Sequence, residues 1–284
     1  MAETRNAQGQ LNLINYHVTR FNPESDPAPY VRTYVVPVSE GMTVLDGLHF
    51  IKEKLDPTLA WRYSCRMGIC GSCGMLLNGQ PGLACNTQIL HIAKTDLAVG
   101  PLPNFAIIRD LVPDLFSMFE KHRSVRPYIL RADEAEINDP EGEFYQSPEQ
   151  LENYIQFSYC IKCGCCMAAC PTLATDVRYL GPMPLAAAQR YNADTRDGGS
   201  RERKAVTATP SGVFRCHYAG ECSRVCPKGV DPARALQYLK RHLVLDYLHL
   251  ARRPAPCSKL HGPGEGKPLP DISPAPKKTA TPAG

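Results

Sequence analysis

The pattern of apolar and polar positions changes character about half-way along the chain. Near the start, Ile14, Tyr16 and Val18 fall on alternate positions and the run Tyr34-Val35-Val36 follows, so two strands are expected. Thr43 stands where a helix cap belongs. Val44, Leu48, Ile51 and Leu55 then recur at helical spacing until Asp56-Pro57 stops the pattern. Gly74–Leu77 reads as a further strand running into the hairpin signal Asn78-Gly79, and Leu97–Val99 as a later one. A helix is expected around Leu111–His122. From Arg126 to Gln146 the chain is rich in proline and acidic residues. Beyond that stretch the periodicity is helical. Ser147-Pro148-Glu149-Gln150 supplies an N-cap, a proline at the first helical position and a capping-box glutamine. Pro184 opens an alanine-rich helix to about Ala193. Asp231-Pro232 starts a last helix whose Leu236, Leu239, Leu243 and Tyr247 form one stripe, suited to a core or a partner helix.

The 284 residues are enough for two ordinary domains with real cores. The expected division is residues 1–125, a connector over 126–146, a helical domain over 147–251 and a tail over 252–284. The tail is rich in Pro, Gly and Lys without periodicity; alone in water such a segment is extended or disordered, and it is expected to lie against partner chains. The formal charge of +4 is mild and no block of like charges stands out, so nucleic acid is not an expected partner. The polar start, Met1-Ala2-Glu3-Thr4-Arg5-Asn6, is neither a secretory signal nor a membrane span, and no stretch approaches the ~18–20 apolar residues that cross a bilayer. A soluble chain, or one peripheral to a membrane through a partner, is expected.

Thirteen cysteines change the picture. Without an export signal a reducing compartment works against disulfides, and metal is the natural reading. Four cysteines lie between 65 and 85, eight between 160 and 226, and Cys257 stands alone. Cys65, Cys70 and Cys73 with Cys85 make C-x4-C-x2-C plus a distant fourth, the plant-type [2Fe–2S] spacing. Gly68, Gly71 and Gly74 would permit the unusual backbone angles and close approach of a loop wrapped round a cluster. Zinc is the alternative for an all-cysteine site. The preceding order of two strands, a helix and more strands is that of a β-grasp ferredoxin fold. The overall class is then α+β: a β-grasp [2Fe–2S] domain followed by an all-α domain like bacterial ferredoxins with two clusters.

Cys160, Cys163, Cys166 and Cys170-Pro171 give C-x2-C-x2-C-x3-C-P, the bacterial ferredoxin run, in which the fourth cysteine serves the other cluster. Cys165 is left over, as a small buried residue beside the cluster. The same template laid on Cys216, Cys222 and Cys226-Pro227 meets Ala219 where a cysteine is due. With crossed ligation, Cys160, Cys163, Cys166 and Cys226 hold a [4Fe–4S] cluster. Cys170, Cys216 and Cys222 remain, which suits [3Fe–4S]; a [4Fe–4S] with a non-cysteine ligand or an exchangeable site is the alternative. Three clusters of different potential make a relay. No G-x-G-x-x-G after a strand and no phosphate loop occurs, so the end stations belong on other chains.

The segments Tyr63–Met75, Cys160–Pro171, Tyr191–Asp197 and Cys222–Lys228 resemble the iron–sulfur subunits of succinate dehydrogenase and fumarate reductase, over roughly residues 11–250. The resemblance implies the electron-transfer subunit of a membrane-bound succinate:quinone oxidoreductase, on the cytoplasmic face of a bacterial inner membrane. It implies a flavoprotein partner with covalent FAD and a transmembrane anchor, with or without haem. Electrons would pass through [2Fe–2S], [4Fe–4S] and [3Fe–4S] between FAD and quinone. It also implies that Pro171, Thr175, His217 and Lys240 lie on the quinone side. Ubiquinone-reducing members commonly carry a tryptophan shortly after the Cys-Pro. Here Thr172-Leu173-Ala174-Thr175 stands there and Trp61 is the only tryptophan, which leans toward menaquinone. The other reading is the iron–sulfur subunit of a soluble thiol-driven fumarate reductase or a heterodisulfide-reductase-like enzyme.

Overall fold

The computed structural model describes residues 12–131, 143–250 and 259–260. Cys257 and the expected tail, apart from Lys259–Leu260, lie outside the described residues.

The first half is a five-stranded sheet in the order β2-β1-β5-β3-β4. Its strands are β1 (Asn12–Arg20), β2 (Tyr30–Val38), β3 (Gly74–Leu77), β4 (Gln80–Leu83) and β5 (Asp96–Gly100). β1 pairs antiparallel with β2 and parallel with β5, and Tyr16 faces Tyr34 on one side and Leu97 on the other. The alternation read in β1 is real burial: Ile14, Tyr16 and Val18 are inside with Val36, Val38 and Leu97. Helix α1 (Val44–Phe50) closes over them, and the one-turn α2 (Ile89–Ile92) leads into β5. Its capping box is complete: Thr43 Oγ1 accepts from the Asp46 N–H, and Asp46 accepts from the Thr43 N–H. The chain then winds more widely through Ile51–Leu55, where the Asp56 N–H donates to the Ile51 carbonyl at 2.7 Å, and Leu55 turns out of the stripe expected for it. A buried network ties the far end of this sheet together. Arg20 donates to Asp110 at 2.9 Å and to Asp56 and the Tyr34 hydroxyl at 2.5 Å each.

The helix expected over Leu111–His122 begins later. Val112–Pro113 pairs with Ile107–Arg109, and α3 spans Phe116–Ser124. Proline and the residue before it resist helical continuation, and the Asp114 carboxylate accepts from the Phe116 N–H at 2.8 Å, which starts the helix there. α3 buries Met118 in the core of the second half.

That half is a set of mostly short helices: α4 (Pro148–Glu152), α5 (Ile155–Ser158), α6 (Cys165–Ala168), α7 (Pro171–Thr175), α8 (Pro182–Asn192), α9 (Ser200–Thr207), α10 (Glu221–Arg224) and α11 (Pro232–Tyr247). Ser147 and Gln150 form the expected capping box of α4. α8 starts at Pro182, two residues earlier than expected. α8 and α11 are the long packed pair, and Leu236, Leu239 and Leu243 face the core. Tyr247, expected on the same stripe, is 80% exposed because the chain leaves the core before that turn. Arg203, fully buried, grips Asp197 and the carbonyls of Arg126 and Tyr128, strapping the start of the connector onto the helices. Glu143–Phe144 pairs with Lys259–Leu260 in a two-residue ladder.

Candidate electron-transfer centres

The cysteines of the first half sit on the loop before β3 and on the turn after β4. Backbone donors crowd their sulfurs. The N–H groups of Met67, Ile69 and Cys70 donate to Cys65 Sγ at 3.5, 3.3 and 3.3 Å, and Gly68 donates to Cys85 Sγ at 3.2 Å. Those donors, with Met67 first, lower the Cys65 thiol to about 6. Burial pushes Cys73 the other way, to about 12. A ring of N–H groups around converging thiols is what a sulfide-bridged cluster requires. Cys73 and Cys85 face the core and Cys70 the surface, beside exposed Met67 and Ile69. Gly68 and Gly71 have φ of 70° and 74°, the left-handed region read for this loop. Gly74 answers a different need, which is space. A Cβ there would stand 2.8 Å from the Cys163 carbonyl, and one on Gly71 would stand 2.9 Å from Cys163 Cβ. The two cysteine loops of the two halves therefore lie backbone to backbone, and Cys163 and Cys165 pack in the same core as Cys73 and Cys85.

The cysteines of the second half surround two pockets. Cys160, Cys163, Cys166 and Cys226 line one; Cys170, Cys216 and Cys222 line the other, with Ala219 on its rim. The last cysteine of each run thus crosses to the pocket of the other. Four thiols in one pocket and three in the next fit iron–sulfur clusters of different nuclearity, since each thiolate takes one iron corner. Burial drives the Cys166 thiol well above its ordinary value and raises Cys160, Cys170, Cys222 and Cys226, a cost that iron, which requires the thiolate, would offset on binding. Cys165 lies outside both linings, fully buried, with its thiol against Cys163.

The backbone repeats with the cysteines. Lys162 and Gly164 have φ of 56° and 85°; Tyr218 and Gly220, 56 residues on, have 60° and 79°. Each glycine caps a one-turn helix, α6 and α10. In this register Cys163 and Ala219 coincide, so the alanine occupies the position of a pocket-lining cysteine in a loop of unchanged shape.

Two family models match the chain: a 2Fe-2S iron–sulfur cluster binding domain over residues 15–120 and a 4Fe-4S dicluster domain over residues 156–230. The fumarate reductase iron–sulfur subunit of Mycobacterium tuberculosis is 46% identical, across 81% of this chain and 92% of its own length. The succinate dehydrogenase iron–sulfur subunit of Paracoccus denitrificans is 38% identical, across 84% and 91%. The chain belongs to the family of fumarate reductase and succinate dehydrogenase iron–sulfur subunits. A chain of the Mycobacterium smegmatis Sdh1 complex in the apo form has the same fold as this iron–sulfur subunit. The TM-score is 0.72 at 26% identity, covering 84% of this chain and 98% of that one.

The four quinone-side candidates of the iron–sulfur subunit gather round the three-thiol pocket in different ways. Pro171 and His217 line it, both exposed. Lys240 Nζ, from α11, donates to the Cys216 carbonyl at 2.8 Å. Thr175 points its hydroxyl back into α7, donating to the Thr172 carbonyl at 3.1 Å, and is outside the lining. Two residues around the pockets carried no sequence signal. Tyr179 is buried and walls the three-thiol pocket with its hydroxyl against Cys216. Asn104, at φ 66°, shares its amide hydrogens among the carbonyls of Met167, Ala168 and Cys170 at 3.0, 3.0 and 3.2 Å. It thereby ends α6 from the other half of the molecule. Neither residue belongs to a motif, and both act through contacts distant in sequence.

Proposed function

We propose that this subunit carries electrons between a flavoprotein and a quinone in a membrane-bound succinate:quinone oxidoreductase. Cys65, Cys70, Cys73 and Cys85 hold [2Fe–2S]; Cys160, Cys163, Cys166 and Cys226 hold [4Fe–4S]; Cys170, Cys216 and Cys222 hold [3Fe–4S]. When bound, the clusters supply one-electron carriers whose potentials follow their type, hydrogen bonds and exposure. The observation that carries the reading is the pair of crossed pockets with four and three thiols, abutting the first cysteine loop through Gly71 and Gly74.

The chain's own residues do the rest. The N–H groups around Cys65 and Cys85 stabilise negative charge on the first set of sulfurs. Met67 and Ile69, exposed beside them, offer a face to the flavoprotein. Exposed Tyr218 lines the three-thiol pocket, and exposed Val177 and Phe214 stand two residues along the chain from its Tyr179 and Cys216, apolar side chains suited to packing on an apolar anchor. No helix among the described residues is long and apolar enough to cross a membrane, so membrane contact on this reading runs through that anchor. His217 and Pro171 form the quinone-side wall. Lys240 braces the carbonyl of Cys216, and Thr175 braces α7.

Low-temperature EPR of the purified native complex, with its partner chains identified and its quinone extracted, tests this. A reduced [2Fe–2S] signal, an oxidised [3Fe–4S] signal and bound menaquinone are expected. A complex without hydrophobic partners, or without the oxidised signal, would sink the reading.

A further inference from the structure

The turn between α7 and α8 is held from outside its own set of helices. α3 packs against α8, and this places Lys121 beside residues 176–179. Its Nζ donates to the carbonyls of Val177 at 2.6 Å and Tyr179 at 2.7 Å. Tyr179 is the residue whose ring walls the three-thiol pocket against Cys216. The same ammonium is close enough to Cys170 and Asp176 to interact with both charges. Asp176 is already engaged by Arg178 Nε at 3.1 Å and by an Arg215 guanidinium nitrogen at 3.0 Å. The partners that hydrogen-bond Lys121 are carbonyl dipoles, which orient its charge without cancelling it.

A centre bound by three thiolates becomes more negative by one unit when reduced. A fixed cation beside one of its ligands, partly out of water, favours the reduced form over the oxidised one. We propose that Lys121 is a positioning residue for the third centre: it pins the Val177–Tyr179 turn against Cys216 and raises the reduction potential of the cluster held by Cys170, Cys216 and Cys222. This rests on the reading that those three thiols hold a cluster. On the sequence Lys121 is one charge among several on a helix, and nothing there connects it with cysteines some fifty residues or more away.

Redox-poised EPR of the assembled complex carrying K121Q, K121M or K121R tests it. In K121Q and K121M the third centre is expected to hold its electron roughly tenfold less tightly, about 59 mV lower for one electron. K121R is expected to titrate close to the unaltered protein, and the other two clusters are expected not to move. If K121M loses the third signal, K121Q, which keeps a donor for the carbonyls, decides. An unchanged potential in K121Q, an equal shift of all three clusters, or loss of the third signal in all three variants overturns the assignment. Absence of any third-centre signal in the unaltered complex refutes the ligand reading, and the inference with it.

Discussion

Residues 160–171 and 216–227 follow one backbone path and end in different surroundings. Both have left-handed residues at the same two places, a one-turn helix after the second, and a Cys-Pro at the end. Over the first loop lies the other half of the molecule. A Cβ on Gly164 would stand 3.2 Å from Leu102 and also meet Leu115 and Phe105, whereas one on Gly220 would meet nothing within 4 Å. Cys163 is buried under Gly71 and Gly74; its counterpart Ala219 is exposed, between Tyr218 and Gly220. The same local device is therefore covered in one place and open in the other, which on the proposed function makes it an interior station and a terminal one. The covered copy is lined by four thiols and, on the proposed function, receives electrons through protein. The open copy is lined by three and, on the same proposal, is the one that meets the quinone.

Exchanging the distinguishing residue should have the largest effect. Cys163→Ala leaves three thiols in the buried pocket, with no open side to compensate. Loss of the [4Fe–4S] signal and of succinate–quinone turnover to background is expected, by EPR and a coupled quinone assay; retained turnover would show that the buried pocket is not on the route. The reciprocal change, Ala219→Cys, supplies a fourth thiol to the open pocket. The oxidised [3Fe–4S] signal is expected to give way to a [4Fe–4S] centre of lower potential, and an unchanged spectrum would break the register between the two loops. Gly74→Ala probes the cover directly, because its φ is not left-handed and only space is at issue. Overpacking of this kind costs ~1–3 kcal/mol. A thermal shift and slower reoxidation of [2Fe–2S] in rapid-freeze EPR are expected, with [3Fe–4S] undisturbed.

Smaller effects sharpen the contrast further. Alanine at Gly220 bears only the left-handed penalty of ~1–2 kcal/mol. Gly164→Ala adds the clash with Leu102, so it is expected to unfold at lower denaturant concentration than Gly220→Ala; equal midpoints would mean the cover is loose. The smallest effect expected is one of pH. Burial, and then the nearby Lys162, hold the His122 imidazole down to about 4. An unfolded histidine titrates near 6.5, so the unfolded chain binds the extra proton first and stability falls as pH drops from about 6.5 toward 4. His122→Leu should flatten that part of the thermal-midpoint curve against pH, and an unaltered curve would exclude His122 as its source.

The elements legible in the sequence were those that close on themselves. Thr43 with Asp46 and Ser147 with Gln150 are reciprocal caps spanning three residues, and β1 shows its buried face by simple alternation. The cysteine spacings are legible for the same reason, since a loop round a compact centre must return its ligands within a few residues. Where the pattern misled, a neighbour decided. Pro113 and Asp114 delayed α3, and Tyr247 left the stripe when α11 left the core. Gly74 was readable as a glycine needing freedom, but not as one needing room for Cys163. Asn104 and Tyr179 were not readable at all, because an amide shared among three distant carbonyls and a phenol beside a distant sulfur leave no local trace.

The exchange of Cys170 and Cys226 between the two pockets bears on how the chain is made. A ribosome releases the chain from its N-terminus, so Cys160, Cys163 and Cys166 emerge long before Cys226, and Cys170 waits for Cys216 and Cys222. A product that stops short of Cys226 lacks a full thiol set for the buried pocket, although it displays a ferredoxin run of four cysteines in sequence. That linear quartet cannot close on itself in this fold, because Cys170 belongs to the other pocket. On the proposed ligand set, the crossing thus ties metal loading of the interior pocket to synthesis of the chain past Cys226.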